Sequence, residues 1–535
     1  MIRRMHLTFV ATRKNADPEE RELYEMDLLL RTLGLKRAFM DLGLVTVASC
    51  TPRDVEIDFV DEYFDELRFG RTDAVALSAK TSCVTRAYAV ADQYRSRGVP
   101  VILGGIHASL RPDEALEHVD CVVTGEAEHV WPHVVEDLRQ GKLRERYDAG
   151  EFPPMADVPT PRWDLLDYDK YLYHQVQTTR GCPFTCRFCS VPDISGQSFR
   201  FKPSDNVVRE LRSLPVMGLL GKGRPLYVVD DNFLSRTTYT KDLLRAMAPL
   251  YQAGKLPGWS AETTLNVAQD DELLDLFVAA GCNTLIIGLE SVSEATLADM
   301  AKGINFCLTY DQAIERIQQR GLAVVGNFIV GFDTDTIEVF RDTLDFIQRT
   351  NILYPFFSIL NPMPGTQLFD DYLAEGRLDH TDWQLYDTRH VVAKPKHMSR
   401  EELSDGYIWL YEQAYGPKML PRMEHHWKLR TKGSRMAERL LLSARLAPEA
   451  RRGDRVHRDL FKDVFKLMMR PRLNAQAGQA LALLDGWDFA RFMDRYKSPS
   501  YAANVRRFET GRHDDERLRS LQWDNEKAQR RSARL

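Results

Sequence analysis

Strand-like and helix-like stretches alternate in two series along this 535-residue chain, and that alternation constrains the fold more than any other feature. In residues 1–147 the apolar runs Met5–Ala11, Asp73–Ala79, Val101–Leu103 and Asp120–Thr124 read as buried strands. Tyr88–Arg97, stopped by Gly98 and Pro100, and Glu114–His118 read as helices between them. Strands separated by helices at this spacing predict a parallel sheet covered on both faces, a Rossmann-like α/β domain. Such sheets take ligands at the carboxyl ends of their strands. Those ends are Ser78–Ser82, Gly104–Ser109 and Thr124–Glu128.

Residues 148–173 then read as a linker. Pro153, Pro154, Pro159 and Pro161 remove backbone donors and stiffen the chain. A second series begins at His174, with strand candidates Gln175–Thr179, Leu226–Asp230, Gly258–Ala261, Thr284–Leu289, Ala323–Val330 and Phe356–Leu360. Six strand–helix repeats within 174–365 predict a partial (β/α)6 barrel, shorter than the eight-fold form, with its active site at the strand carboxyl ends. Thr309 with Gln312, and Ser399 with Glu402, carry the reciprocal N-terminal capping pattern, and Gly321 stops the first of these two helices. Residues 366–535 lose the strand pattern and read as mostly helical, ending in a charged tail.

With 44% hydrophobic and 28% charged residues, a wholly disordered or collagen-like chain is excluded. No apolar run approaches the length of a membrane span. The arginines at the N-terminus precede no apolar secretion segment, so a cytoplasmic protein is expected. The net charge of −5 conceals a basic stretch, residues 422–472. It reads as a solvated helix face, or as a surface for an anionic substrate or lipid headgroups, which leaves peripheral membrane contact open. The acidic total argues against nucleic acid as a partner.

The eight cysteines are unevenly placed. Cys182, Cys186 and Cys189 form C-x3-C-x2-C just after the first strand of the second series, whereas Cys50, Cys83, Cys121, Cys282 and Cys307 are scattered. In a reducing compartment a tight thiol cluster reads as a metal site before a disulfide framework. Iron–sulfur clusters normally take four thiolates, and Cys282 or Cys307 could supply the fourth only if the fold brought it near. Otherwise three thiolates leave one position open for an outside ligand. A zinc site lacks its usual fourth ligand here.

The cysteine spacing, with Phe188 before the last cysteine and Arg180-Gly181 before the first, resembles the radical S-adenosylmethionine enzymes. The resemblance implies a [4Fe-4S] cluster held by Cys182, Cys186 and Cys189, whose open iron is chelated by S-adenosylmethionine and which cleaves it to a 5′-deoxyadenosyl radical. It implies S-adenosylmethionine contacts at Phe188, Asp230, Asp231, Glu262, Gly288, Glu290, Ser291, Gly326 and Gly331. A flavodoxin- or ferredoxin-type electron donor goes with it.

Residues 1–147 resemble the cobalamin-binding domain fused to many of these enzymes. That places cobalamin at Ser78, Thr81, Ser82, Gly104, Gly105, His107, Thr124, Gly125 and Glu126. His107 has a plainer reading, as a loop histidine bonded to backbone. The D-x-H-x-x-G motif that supplies a histidine to cobalt is missing. The segment Pro362–Phe369 (PMPGTQLF) and Trp383 extend the likeness to about residue 390, in a branch similar to hopanoid and natural-product methylases. The expected activity is methylation of an unactivated carbon of a small-molecule or lipid-like substrate. The alternatives are a rearrangement, ring contraction or cyclisation on the same scaffold, a methylthiotransferase using Cys50, Cys83 and Cys121, and a non-catalytic cobalamin or cluster sensor.

Overall fold

The computed structural model describes residues 4–14, 37–214, 224–300, 308–415, 419, 421–422, 425 and 493–510. Cys307, the charged tail beyond 510 and nearly all of the basic stretch lie outside the described residues. The chain divides into two compact units, each discontinuous in sequence. The first comprises residues 1–21, 35–242 and 361–393, and the second residues 22–34, 243–360 and 394–535.

In the first unit, β1 (His6–Ala11), β2 (Glu56–Asp61), β3 (Ala74–Ser78), β4 (Val101–Gly104), β5 (Cys121–Thr124) and β6 (Arg146–Asp148) form a six-stranded sheet in the order β2-β1-β3-β4-β5-β6. Every pairing is parallel. The side chains alternate between two apolar layers, as the strand period of two requires. Val75, Leu77, Val101, Leu103 and Val122 enter one core. Ala74, Ala76, Ile102, Cys121 and Val123 enter the other. The expected α/β class therefore forms, with the flavodoxin-type order of a doubly wound sheet. Its topological switch lies between β1 and β3, where such folds bind ligands.

The same unit carries β7 (His174–Val176), β8 (Thr179–Arg180), β9 (Arg200–Phe201) and β10 (Leu226–Val228). Strands β7 and β10 pair in parallel, while β8 and β9 form a short antiparallel ladder. Residues 361–393 also belong here, and Phe369, Trp383, Tyr386 and Val392 pack in the core with Val75 and Leu103.

In the second unit, β11 (Trp259–Thr263), β12 (Cys282–Glu290), β13 (Ala323–Val330) and β14 (Tyr354–Ile359) pair in parallel in that order. All six strands expected after residue 174 thus form, within three residues of their expected limits. Both capping patterns are realised. The Thr309 amide donates to Gln312 Oε1 at 3.0 Å and the Gln312 amide to Thr309 Oγ1 at 3.2 Å. The Ser399 amide donates to Glu402 Oε2 at 2.8 Å and the Glu402 amide to Ser399 Oγ at 3.1 Å. Arg422, the first residue of the basic stretch, points inward and is buried, donating through Nη1 to Ile352 O at 2.8 Å and through Nη2 to Ala414 O. It completes helix and loop carbonyls rather than facing a ligand. Among the described residues no helix is long and apolar enough to cross a membrane.

Candidate active site

The three clustered cysteines occupy the stretch between β8 and β9. The ladder closes this stretch at its base, with Thr179 opposite Phe201 and Arg180 opposite Arg200. The Cys182 amide donates to Gly196 O at 3.1 Å and the Cys189 amide to Cys186 O at 3.0 Å. All three thiols are half-buried. Downstream residues brace the loop from outside. The Leu368 amide donates to Arg187 O at 3.1 Å, and Arg187 Nη2 bonds Asp371 Oδ2 at 2.7 Å. Burial, with Cys186, Cys182 and Asp231 adding negative charge nearby, pushes the Cys189 thiol up to about 12. The three sulfurs are therefore electrostatic neighbours, and holding them as thiolates requires a cation among them. Among the described residues no three His, Cys, Asp or Glu converge on one metal ion. In a four-iron cluster each thiolate takes a different iron.

Two carboxylates just beyond β10 lie behind the loop. Asp230 is buried, and its Oδ1 accepts the amides of Thr178 at 2.6 Å and Thr179 at 3.0 Å, while Oδ2 accepts the Thr178 hydroxyl. Asp231 Oδ2 accepts the Gly181 amide at 3.0 Å. Asp230 is thus committed to shaping the chain that enters the loop. Its burial raises the carboxyl from 3.8 to about 6, against the pull of these donors. A carboxyl raised in the folded state favours folding when protonated, so its ionisation cost is absent below pH 4 and grows as pH rises to about 6. Asp230→Asn keeps an acceptor for the two amides and removes the buried charge. Its melting temperature should stand higher relative to the parent at pH 7.5 than at pH 4.5. Thermal melts at both pH values check this, and an equal offset at both would refute it.

At the carboxyl ends of the N-terminal sheet, Ser78, Gly104, Gly105, Thr124 and Gly125 come together. Thr12 Oγ1 donates to Ser78 O at 3.2 Å, joining the ends of β1 and β3 at the switch point. The Gly125 amide donates to Ser109 Oγ at 3.0 Å. Gly105 has φ +93°, and a Cβ there would lie 3.0 Å from both Ala79 N and Ser78 Oγ. The next residue, Ile106, is exposed. The Thr124 hydroxyl is buried without a hydrogen-bond partner. A glycine cradle, an apolar residue left in solvent and an unpaired hydroxyl together suit a large, partly apolar ligand. Thr81 and Ser82 lie in the short turn after β3, Thr81 buried and Ser82 half-buried. Gly105→Ala should weaken cobalamin binding about tenfold or more, since left-handed strain costs about 1–3 kcal/mol. Titration of hydroxocobalamin checks it, and unchanged affinity would remove Gly105 from the site.

Two expected cobalamin residues point elsewhere. His107 is fully buried and lies beside Glu114 Oε1, at 3.4 Å, and the Trp383 ring. Trp383 Nε1 donates to the same Oε1 at 2.6 Å. These bonds and Arg111 hold Glu114 down at about 2 despite its burial. Glu126 is taken by two guanidinium groups. Its Oε2 accepts Arg180 Nη1 at 2.7 Å and Arg200 Nη1 at 2.9 Å, and its Oε1 accepts Arg200 Nη2. Glu128 Oε1 accepts Arg180 Nη2 at 2.7 Å. Sequence reasoning missed Arg200 and Glu128 because an ion pair across many residues has no local signature. The place of Arg180 beside Cys182 was the one available cue.

The remaining candidates lie in the second unit. Glu262 is exposed on β11, and Gly288 and Glu290 share the half-exposed face of β12. The β12–β13 register shifts between Gly288 and Glu290, and Glu290 has φ +61°. A non-glycine residue in that region marks a local constraint of the kind found at functional sites. Ser291 is buried, its amide donating to Leu289 O at 2.8 Å and its Oγ accepting the Ser293 amide at 3.1 Å. Gly326 sits inside β13, where a Cβ would meet Phe328, Leu289 and Ile352 at 3.0–3.3 Å. Gly331 follows β13 with φ +100°, and Asp335 Oδ2 holds its amide at 2.9 Å. Phe188 is half-buried beside Cys189. Asn327, between the two glycine candidates of this segment, pairs with Gly288 in register.

Residues 176–347 match the model of the radical SAM superfamily, and residues 35–135 match that of the B12 binding domain. The bacteriochlorophyllide d C-12(1)-methyltransferase of Chlorobaculum tepidum is 33% identical over 395 residues, spanning 72% of this chain and 85% of that protein. The chain belongs to the B12-binding branch of the radical SAM superfamily. The hopanoid C-2 methylase of Rhodopseudomonas palustris is 29% identical over 351 residues, 64% of this chain and 65% of that one. Among solved structures, the radical S-adenosylmethionine methyltransferase TsrM of Kitasatospora setae superposes with a TM-score of 0.57 at 16% identity, covering 91% of this chain and 99% of that one. The radical SAM match contains the whole cysteine loop, and the B12 match contains the glycine cradle. This radical SAM enzyme therefore works with a [4Fe-4S] cluster, S-adenosylmethionine and cobalamin.

Proposed function

We propose that this radical SAM enzyme is a C-methyltransferase acting on an unactivated carbon of a small, largely apolar molecule, with a tetrapyrrole or polycyclic lipid as the class its relatives suggest. One observation carries the residue assignments: a loop of three neighbouring thiols and an open glycine cradle at a sheet's switch point lie in the same compact unit. Cys182, Cys186 and Cys189 would hold three irons and leave the fourth open. When bound, the cluster supplies the electron that cleaves S-adenosylmethionine, and cobalamin supplies the methyl group.

The chain's own residues position these groups. Asp231 and Asp230 fix the backbone from Thr178 to Gly181, so the first thiol enters the loop at a set angle. Ser78, Gly104, Gly105 and Thr124 would line the cobalamin face, with Ile106 offering apolar contact. Gly288, Glu290 and Ser291 would meet S-adenosylmethionine. A cytoplasmic setting and a flavodoxin- or ferredoxin-type electron donor go with this reading. Contact of residues 422–472 with a membrane surface remains part of the proposal only for residues after Arg422.

The test is incubation of reconstituted protein with reductant, candidate substrate and S-adenosylmethionine carrying a trideuterated methyl group. The expected results are trideuteromethylcobalamin, 5′-deoxyadenosine and a product heavier by the labelled methyl. A product that has lost hydrogen and carries no label would assign a cyclisation or dehydrogenation instead.

A further inference from the structure

Four charged side chains between the carboxyl end of β5 and the cysteine loop are almost wholly removed from water. Arg180 and Arg200 retain side-chain exposures of 11% and 16%, and Glu126 and Glu128 of 9% and 5%. The two arginines stand opposite each other in the β8–β9 ladder, an arrangement that like charges destabilise. Glu126 relieves it by bonding both, and Glu128 completes the fork of Arg180. Arg200 also donates to Pro153 O and Ser195 O, both at 2.9 Å, and Arg180 Nε to Gln177 Oε1 at 2.7 Å. Burying four ions is a poor route to stability, because apolar residues of similar volume often serve as well. What the quartet fixes is geometry. Glu126 and Glu128 follow directly on Thr124 and Gly125 at the cradle, and Arg180 precedes Gly181 and Cys182.

We propose that Glu126, Glu128, Arg180 and Arg200 are positioning residues that make cobalamin binding and cluster assembly depend on each other. The proposal rests on the two cofactor sites assigned above. A ligand that orders the loop after β5 also orders both carboxylates. They in turn hold the guanidinium one residue from the start of the cysteine loop. The ordering entropy shared by the two sites is then met once rather than twice. Linkage requires the effect to be reciprocal: the cluster tightens cobalamin by the factor with which cobalamin favours the cluster.

The full-length protein, prepared iron-free and cluster-loaded, is titrated with hydroxocobalamin, and iron uptake is followed with and without cobalamin. Couplings of this kind are typically about 5- to 150-fold. The parent should bind cobalamin about tenfold tighter when the cluster is present. Glu128→Gln, which keeps shape and removes one charge, should still bind both cofactors but reduce the ratio to about twofold or less. A purely structural role would weaken both states alike and leave the ratio unchanged, and that result overturns the proposal, as does a ratio of one in the parent. If Glu128→Gln fails to fold, Arg180→Lys keeps the charge, loses the fork and is read by the same ratio. A parent that binds no cobalamin at all would overturn both this proposal and the assigned cobalamin site, whereas independent binding of both cofactors would overturn the coupling alone.

Discussion

Cys186→Ala, reconstituted without oxygen, should fail to assemble a four-iron cluster and should form 5′-deoxyadenosine at background rate, a loss of about 10³-fold or more. Two thiolates cannot hold three irons of such a cluster. Cys50 and Cys121 have thiols that burial raises to about 12, and Cys121 faces the sheet core with Phe9 and Trp131. Cys121→Ala is therefore the control. It should keep the cluster's visible absorbance while losing some thermal stability. Full absorbance in the Cys186→Ala protein would remove that residue from the ligand set. Loss of the cluster in the Cys121→Ala protein would revive an N-terminal second-cluster reading.

Gly181→Ala should also impair the cluster, less severely than Cys186→Ala, although it touches no thiol. Gly181 has φ +89°, and a Cβ there would collide with Ser198 O and sit 2.9 Å from Ser195 O. The obstacles are backbone atoms, which no rotamer change can move. Left-handed strain and overpacking together amount to about 2–6 kcal/mol. The loop must therefore open at its base, where the Gly181 amide bonds Asp231 and the Cys182 amide bonds Gly196 O. The expected result is a folded protein with iron content reduced several-fold. A Gly181→Ala protein with the parent's iron content and spectrum would mean that the loop's entry is not fixed by this turn.

Periodic and local features were the legible ones. Val101–Leu103 and Ala323–Val330 read as strands because their apolar character is continuous, and Thr309–Gln312 read as a cap because its pattern spans three residues. β2 and β6 escaped notice. Their sequences, EIDFVD and RYD, are polar edge strands whose identity comes from their neighbours. The C-x3-C-x2-C spacing exposed the loop, but its support was hidden in contacts between distant residues. Glu126 looked like a ligand residue because it ends a strand. Only the fold reveals that Arg180 and Arg200 occupy its carboxylate. His107 looked like a loop residue because it follows two glycines, yet the first turn of Ile106–Leu110 swings it into the core against Trp383.

The inclusion of residues 361–393 in the first unit has a consequence for biosynthesis. Trp383, Tyr386 and Val392 close the apolar layer over Val75 and Leu103, and Lys14 Nζ meets Asp387 Oδ2 at 2.6 Å, both side chains buried. A nascent chain that has released only the six N-terminal strands leaves that layer wet and Lys14 without this carboxylate. The earliest-made part of the protein therefore finishes folding only after residue 393 has emerged from the ribosome. During that interval the half-built sheet, with one apolar layer uncovered, is the species a chaperone would meet.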